Sequence, residues 1–128
     1  MYEVKVRRIF SASHALRGYE GNCQNVHGHN WEVIVSISAD KTNSLGLVLD
    51  FREVKKLLDR VIQELDHKHL NDLPAFGEGQ KNPTTENLAQ FIYRELDKEF
   101  SKESVKIRKV TVRESRDCSA SYWEEVND

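Results

Sequence analysis

Cysteine is scarce in this 128-residue chain: Cys23 and Cys118 are its whole complement, they stand far apart, and no Cys-x-x-Cys pair occurs. A paired-cysteine zinc knuckle and a dithiol redox motif are thereby excluded, and reduced thiols are the expectation. An excess of basic charge is missing too. With 19 basic and 21 acidic residues interspersed and a net charge of -2, there is no stripe to grip a phosphate backbone, and nucleic acid is set aside as a partner. No apolar run approaches the roughly 20 residues that cross a bilayer. The opening Met1-Tyr2-Glu3-Val4 lacks the basic and apolar regions of a secretory signal, so a soluble, cytoplasmic protein with no membrane partner is expected. Apolar residues are few, at 38% against 31% charged. That balance suits a single domain over residues 1–128, a small subunit completed by oligomerisation. Internal repeats, linkers and low-complexity segments are also absent.

What is present is clear periodicity. Tyr2, Val4, Val6, Phe10 and Ala12 alternate along a strand over residues 2–13, with Arg8 interrupting the apolar face and His14 continuing its parity. Gly18 and Gly21 mark a loop into Cys23. A second strand over about 29–39 alternates Trp31, Val33, Val35 and Ile37. Phe51, Val54, Leu57, Leu58, Val61, Ile62 and Leu65 then recur at helical spacing, with Asp50 as cap, Glu53 completing a capping box, and an end near Asp66-His67-Lys68-His69. Residues 70–83 read as a loop. Pro83-Thr84-Thr85-Glu86 opens a second helix that runs to Phe100, capped by Asn82 or Thr84. In a third strand, 105–114, the apolar parity shifts between Ile107 and Val110, which predicts a β-bulge near Arg108 and Lys109. A short last strand covers about 119–126. The order β-β-α-α-β-β predicts an α+β domain: a four-stranded antiparallel sheet with both helices on one face and two open edges that invite pairing between subunits.

The residues with chemistry gather around Cys23-Gln-Asn-Val-His27-Gly-His29. His27 and His29 share a parity and project to one side of their strand, with Gly28 allowing close approach between them. His14, at the end of the first strand, supplies a third imidazole. Three protein ligands and one open position are what a catalytic zinc requires, whereas a lone His-Gly-His is more often a strand start with two unremarkable side chains. Cys23 is open between fourth ligand, nucleophile or base, and buried small hydrophobe; its polar neighbours Asn22, Gln24 and Asn25 favour a reactive thiol. Asp66-His67 reads either as an acid-base pair or as a histidine complementing a helix C-terminus. Glu114 lies on the apolar face of its strand and needs a partner there, be it a ligand or a neighbour such as Arg113 or Arg116. Thr84, Thr85 and Glu86 suit a plain helix start.

Phe10-Ser-Ala-Ser-His14, Cys23-x-x-x-His27-Gly-His29, Leu49-Asp-Phe51, Leu65-Asp66-His67 through Leu70-Asn-Asp72, Pro83-Thr-Thr-Glu86 and Val112-Arg-Glu114 together resemble the 6-pyruvoyl-tetrahydropterin synthase family. The three-residue gap between Cys23 and His27 resembles its bacterial branch, the 6-carboxy-5,6,7,8-tetrahydropterin synthases of queuosine biosynthesis. The resemblance implies the tunnelling fold, with sheets of several subunits joined into a barrel and a homohexamer built from two trimers. It implies zinc on His14, His27 and His29, Cys23 as proton-abstracting thiolate, and Asp66 with His67 as a second acid-base pair contributed by a neighbouring subunit. Glu114 would accept hydrogen bonds from a pterin edge, with Thr84 and Thr85 helping to hold the ring. His69 and Cys118 match no functional position, and Cys118 is read as structural. The implied reaction is conversion of 7,8-dihydroneopterin triphosphate to 6-carboxy-5,6,7,8-tetrahydropterin with loss of triphosphate and acetaldehyde. The alternatives are a pyruvoyl synthase, which stops at triphosphate elimination, and a non-catalytic pterin-binding zinc protein.

Overall fold

The computed structural model describes residues 1–18, 24–100 and 105–125. Cys23 therefore lies outside the described residues, as does Val126 at the end of the expected last strand. Strand β1 (Tyr2–His14) and strand β2 (His27–Ala39) pair antiparallel over their full lengths, from Tyr2 opposite Ala39 to His14 opposite His27. Because opposed residues share a face, Val6 and Phe10 of β1 fall beside Val35 and Trp31 of β2. Trp31, Val33, Val35 and Ile37 are fully buried. Each such side chain contributes about 1.5–3 kcal/mol by leaving water.

Helix α1 (Phe51–Gln63) buries Val54, Leu58, Val61 and Ile62, and helix α2 (Thr85–Phe100) buries Leu88, Ala89, Ile92, Tyr93, Leu96 and Phe100. These join the β1 and β2 apolar residues in one cluster, so both helices cover the same side of the sheet. Arg8, the interruption in β1, faces that side and reaches Asp59 of α1 at 2.7 Å. Asp50 caps α1 by accepting from the Arg52 N–H at 2.9 Å. Thr84 caps α2 by accepting from the Asn87 N–H at 3.0 Å, which decides between the two expected caps.

Strand β4 (Lys106–Arg113) pairs antiparallel with β2 and with strand β5 (Ser119–Tyr122). Ser36 faces Lys109 while Ile37 faces Ile107, so Arg108 is the extra residue and the expected bulge is present.

The sheet has five strands, not four, in the order β3-β1-β2-β4-β5. The addition is β3 (Lys68–His69), a two-residue strand parallel to Ala12 and Ser13 where the helix end was expected. Helix α1 stops at Gln63, His67 turns the chain at φ 59°, and its N–H donates to Ser11 O at 2.6 Å. A single residue in the left-handed region redirects the chain onto the sheet. The α+β class stands, with one parallel pair in an otherwise antiparallel sheet. No helix among the described residues is long and apolar enough to cross a membrane.

Candidate metal centre

The parity that gives Phe10 and Ala12 to the core gives His14 next along β1, and the parity of Trp31 and Val33 gives His29 and His27 along β2. Pairing of His14 with His27 and of Ala12 with His29 brings the three imidazoles together at one end of the helix-covered face. Glu114 follows β4 in the parity of Val110 and Val112 and completes the group. One donor atom from each of His14, His27, His29 and Glu114 lies within 4.8 Å of the others. His14 is buried and the other three are half-buried.

The proton positions decide what this group can do. His14 Nδ1 is 2.7 Å from Pro83 O, and His27 Nδ1 is 2.7 Å from Asn25 O. A carbonyl only accepts, so in the neutral rings both Nδ1 atoms carry the proton and both Nε2 atoms are bare. These two Nε2 atoms face one another at 3.0 Å. Two lone pairs at that distance repel unless something positive lies between them. His29 Nε2 is buried without a hydrogen-bond partner; its 3.0 Å approach to Glu114 Oε1 is an electrostatic contact lacking hydrogen-bond alignment. Glu114 Oε1 is also 3.5 Å from His14 Nε2. Three bare or orphaned nitrogens beside a carboxylate fit a divalent cation. Burial first, and then the neighbouring imidazoles, push the His14 pKa below its ordinary value, against the opposing effect of the Pro83 bond. Neutral imidazole is the form that binds metal.

Asp66 and His67 lie elsewhere, along the outer edge of β1. Asp66 Oδ1 accepts from the Ser11 N–H at 2.9 Å, and Asp66 Oδ2 is 3.0 Å from His67 Nδ1. The Ser11 bond first, and His67 after it, hold the Asp66 carboxyl below the usual aspartate range. His67 is 82% exposed, so this pair presents an oriented imidazole to the surroundings. It follows the turn that carries the chain from the end of α1 to the edge of β1, where the His67 N–H donates to Ser11 O. Within one chain it stands apart from the histidine cluster.

Thr84 and Thr85 begin α2 directly after Pro83, and the Thr84 hydroxyl is committed to its cap. His69 Nδ1 lies 2.9 Å from Ser13 Oγ. The Cys118 thiol is exposed, while its carbonyl accepts from the Glu114 N–H at 3.1 Å and so closes the turn that carries Glu114. Sequence reasoning found the three histidines and the parity of Glu114. It missed the contact between Glu114 and the imidazoles, and the carbonyls of Asn25 and Pro83, which as backbone groups leave no mark in a sequence.

A family model described as 6-pyruvoyl tetrahydropterin synthase matches residues 3–125. A Rickettsia typhi protein named 6-carboxy-5,6,7,8-tetrahydropterin synthase is 33% identical over 129 residues, covering 88% of this chain and 94% of its own. A Pyrococcus furiosus dihydroneopterin monophosphate aldolase is 32% identical over 111 residues, covering 87% of this chain and 88% of its own. Among solved structures, the Caenorhabditis elegans 6-pyruvoyl tetrahydropterin synthase is similar with a TM-score of 0.82, at 28% identity over 98% of both chains. Three different activities are named among these proteins.

Proposed function

We propose that this chain, which belongs to the 6-pyruvoyl tetrahydropterin synthase family and has its tunnelling fold, is a zinc-dependent carbon-carbon lyase of the cytoplasm. Its reaction is conversion of 7,8-dihydroneopterin triphosphate to 6-carboxy-5,6,7,8-tetrahydropterin, with release of triphosphate and acetaldehyde, on the route to queuosine. The observation that carries the reading is the convergence of His14, His27 and His29, whose Nε2 atoms are left without protein partners that satisfy them. Three imidazoles with room for a further ligand suit zinc in its catalytic form. When bound, zinc supplies Lewis-acid stabilisation of negative charge developing on the substrate side-chain oxygens.

The protein groups then have separable tasks. Cys23 removes a proton made acidic by the adjacent ring imine, and His67, oriented by Asp66, handles the second proton transfer. Glu114 turns from the imidazoles to accept hydrogen bonds from the guanidine-like edge of the pterin, and Thr84 and Thr85 flank the ring. The separation of Asp66-His67 from the cluster within one chain supports sites shared between subunits, in a homohexamer of two trimers.

The reading against pyruvoyl synthase rests on the three-residue gap between Cys23 and His27 and on the carboxy-synthase name of the Rickettsia relative. A second reading, aldol cleavage of a phosphorylated dihydroneopterin, has support in the identity to the Pyrococcus aldolase. One experiment separates all three. Zinc-loaded protein is incubated with dihydroneopterin triphosphate and the products are identified by mass. A carboxylated pterin with free triphosphate and acetaldehyde supports the lyase, and an intact side chain lacking triphosphate replaces it with the pyruvoyl reaction. A shortened side chain with the phosphate on the released fragment replaces it with aldol cleavage. No turnover with metal bound leaves the non-catalytic pterin-binding protein.

A further inference from the structure

The outer edge of β1 is paired far beyond the two residues of β3. Ser11 bonds to Asp66 Oδ1 and to the His67 N–H, and Ser13 is bridged by His69. Past the last strand residue, His14, the odd-numbered positions continue to find partners, but these are now side chains. Asn71 accepts from the Ala15 N–H at 2.9 Å and donates to Ala15 O at 2.8 Å. Asn82 does the same for Arg17, at 3.0 and 2.9 Å. Each carboxamide presents one acceptor and one donor side by side, as a neighbouring strand would. Two asparagines thus stand in for the missing ladder over the first residues after His14.

Asn82 has a second consequence. It precedes Pro83, whose carbonyl accepts a hydrogen bond from His14 Nδ1–H, and its own carbonyl accepts from the Asn87 side chain at 2.9 Å and from the Thr84 N–H at 2.8 Å. Asn82 therefore joins the backbone after His14 directly to the carbonyl that sets the tautomer of His14, beside the Arg17 guanidinium, which donates to the carbonyls of Phe76, Gln80 and Lys81 further upstream. The ring is buried, so its orientation depends on the few partners it has.

We infer that Asn82 is a positioning residue for the metal ligand His14: by clamping Arg17 it holds the Pro83 carbonyl against Nδ1–H and leaves Nε2 bare toward the cation. The inference rests on the metal reading of the histidine cluster and extends it to a residue that touches neither metal nor substrate. Partners of this kind fix ring orientation and ligand basicity.

Metal affinity tests this whichever pterin is turned over. In the full-length assembled protein, Asn82→Ala weakens Zn2+ binding in chelator competition by about 10- to 100-fold, the range typical for an outer-shell partner. Lys81→Ala, whose side chain reaches Gln90 on the surface, leaves it at the wild-type value. A spectroscopic readout separates positioning from a loosened fold. In Co2+-loaded wild type, the Nδ1 protons of His14 and His27 rest on backbone carbonyls and give two hyperfine-shifted signals, of which that of the buried His14 is protected from solvent. Asn82→Ala loses the His14 signal to exchange and keeps that of His27. Wild-type affinity with both signals retained overturns the inference. If Asn82→Ala does not fold, Asn82→Asp keeps the acceptor for Arg17 N–H and loses the donor; it weakens Zn2+ binding in the same direction, and wild-type affinity in it overturns the inference equally. A wild-type chain that takes up no Zn2+ overturns the metal reading and the inference together, which distinguishes that failure from the first.

Discussion

At the scale of single residues, the proposed centre would divide into groups that hold a cation and groups that move protons or bind substrate, and substitutions should separate them. Cys23→Ala is expected to retain about one zinc per chain while losing most activity, because three imidazoles suffice for a catalytic zinc. In His27→Ala, zinc content and activity should fall together, since His27 Nε2 is half of the facing pair at 3.0 Å. Metal analysis beside a turnover assay checks both, and loss of zinc from Cys23→Ala would make the thiol a ligand. Glu114 is the ambiguous member, because its carboxylate already contacts His14 and His29. As a pterin anchor, Glu114→Gln keeps its zinc and raises the Michaelis constant about tenfold or more, the scale of one charge-assisted hydrogen bond. Zinc loss in that variant, with an unchanged Michaelis constant, would instead assign it as a fourth ligand.

Among the elements, the edge of β1 has a titratable brace. Because the Ser11 N–H and His67 hold the Asp66 carboxyl below its ordinary value, its contribution to stability is present above the unfolded-state pKa. It is lost as pH falls through the lower folded-state value. Urea midpoints of wild type and Asp66→Asn should therefore differ by a constant amount at neutral pH and converge below about pH 4. A gap that widened toward acid would contradict the assignment. The same edge shows where sequence reading stops. Strand β2 and the two helices were legible because Trp31, Val33, Val35 and Ile37 alternate and Val54, Leu58, Val61 and Ile62 recur at helical spacing. The bulge at Arg108 was legible from the parity shift between Ile107 and Val110. Strand β3 was not, since two residues carry no period and its placement hangs on His67 at φ 59°, a left-handed conformation that no sequence pattern around it announces. Nor were the carboxamide clamps of Asn71 and Asn82, which depend on chain segments that only the tertiary fold brings together.

For the whole molecule, the exposed His67 and the largely half-buried histidine cluster stand apart within one chain, so the proposed site would need a second subunit to bring them together. The outer side of β1 and of the chain that follows it is bonded over positions 11 to 17. Among the described residues, no strand pairs with that side over 3–9. An unpaired strand edge is a template for another chain, and a second sheet arriving there would pass close to Asp66-His67. If sites are completed in this way, with Cys23 and the imidazoles from one subunit and Asp66-His67 from its neighbour, the two halves can be separated genetically. Homo-oligomers of Cys23→Ala and of His67→Ala should each be nearly inactive, because every site in either lacks one proton-transfer group. After reversible dissociation and co-assembly of the two variants, some interfaces bring an intact Cys23 against an intact His67, and part of the wild-type activity should return. With both groups in one chain, every site would remain defective however the subunits were mixed. Activity that stays at the level of the single variants, in mixtures whose co-assembly is verified by native mass, would therefore rule out the shared site.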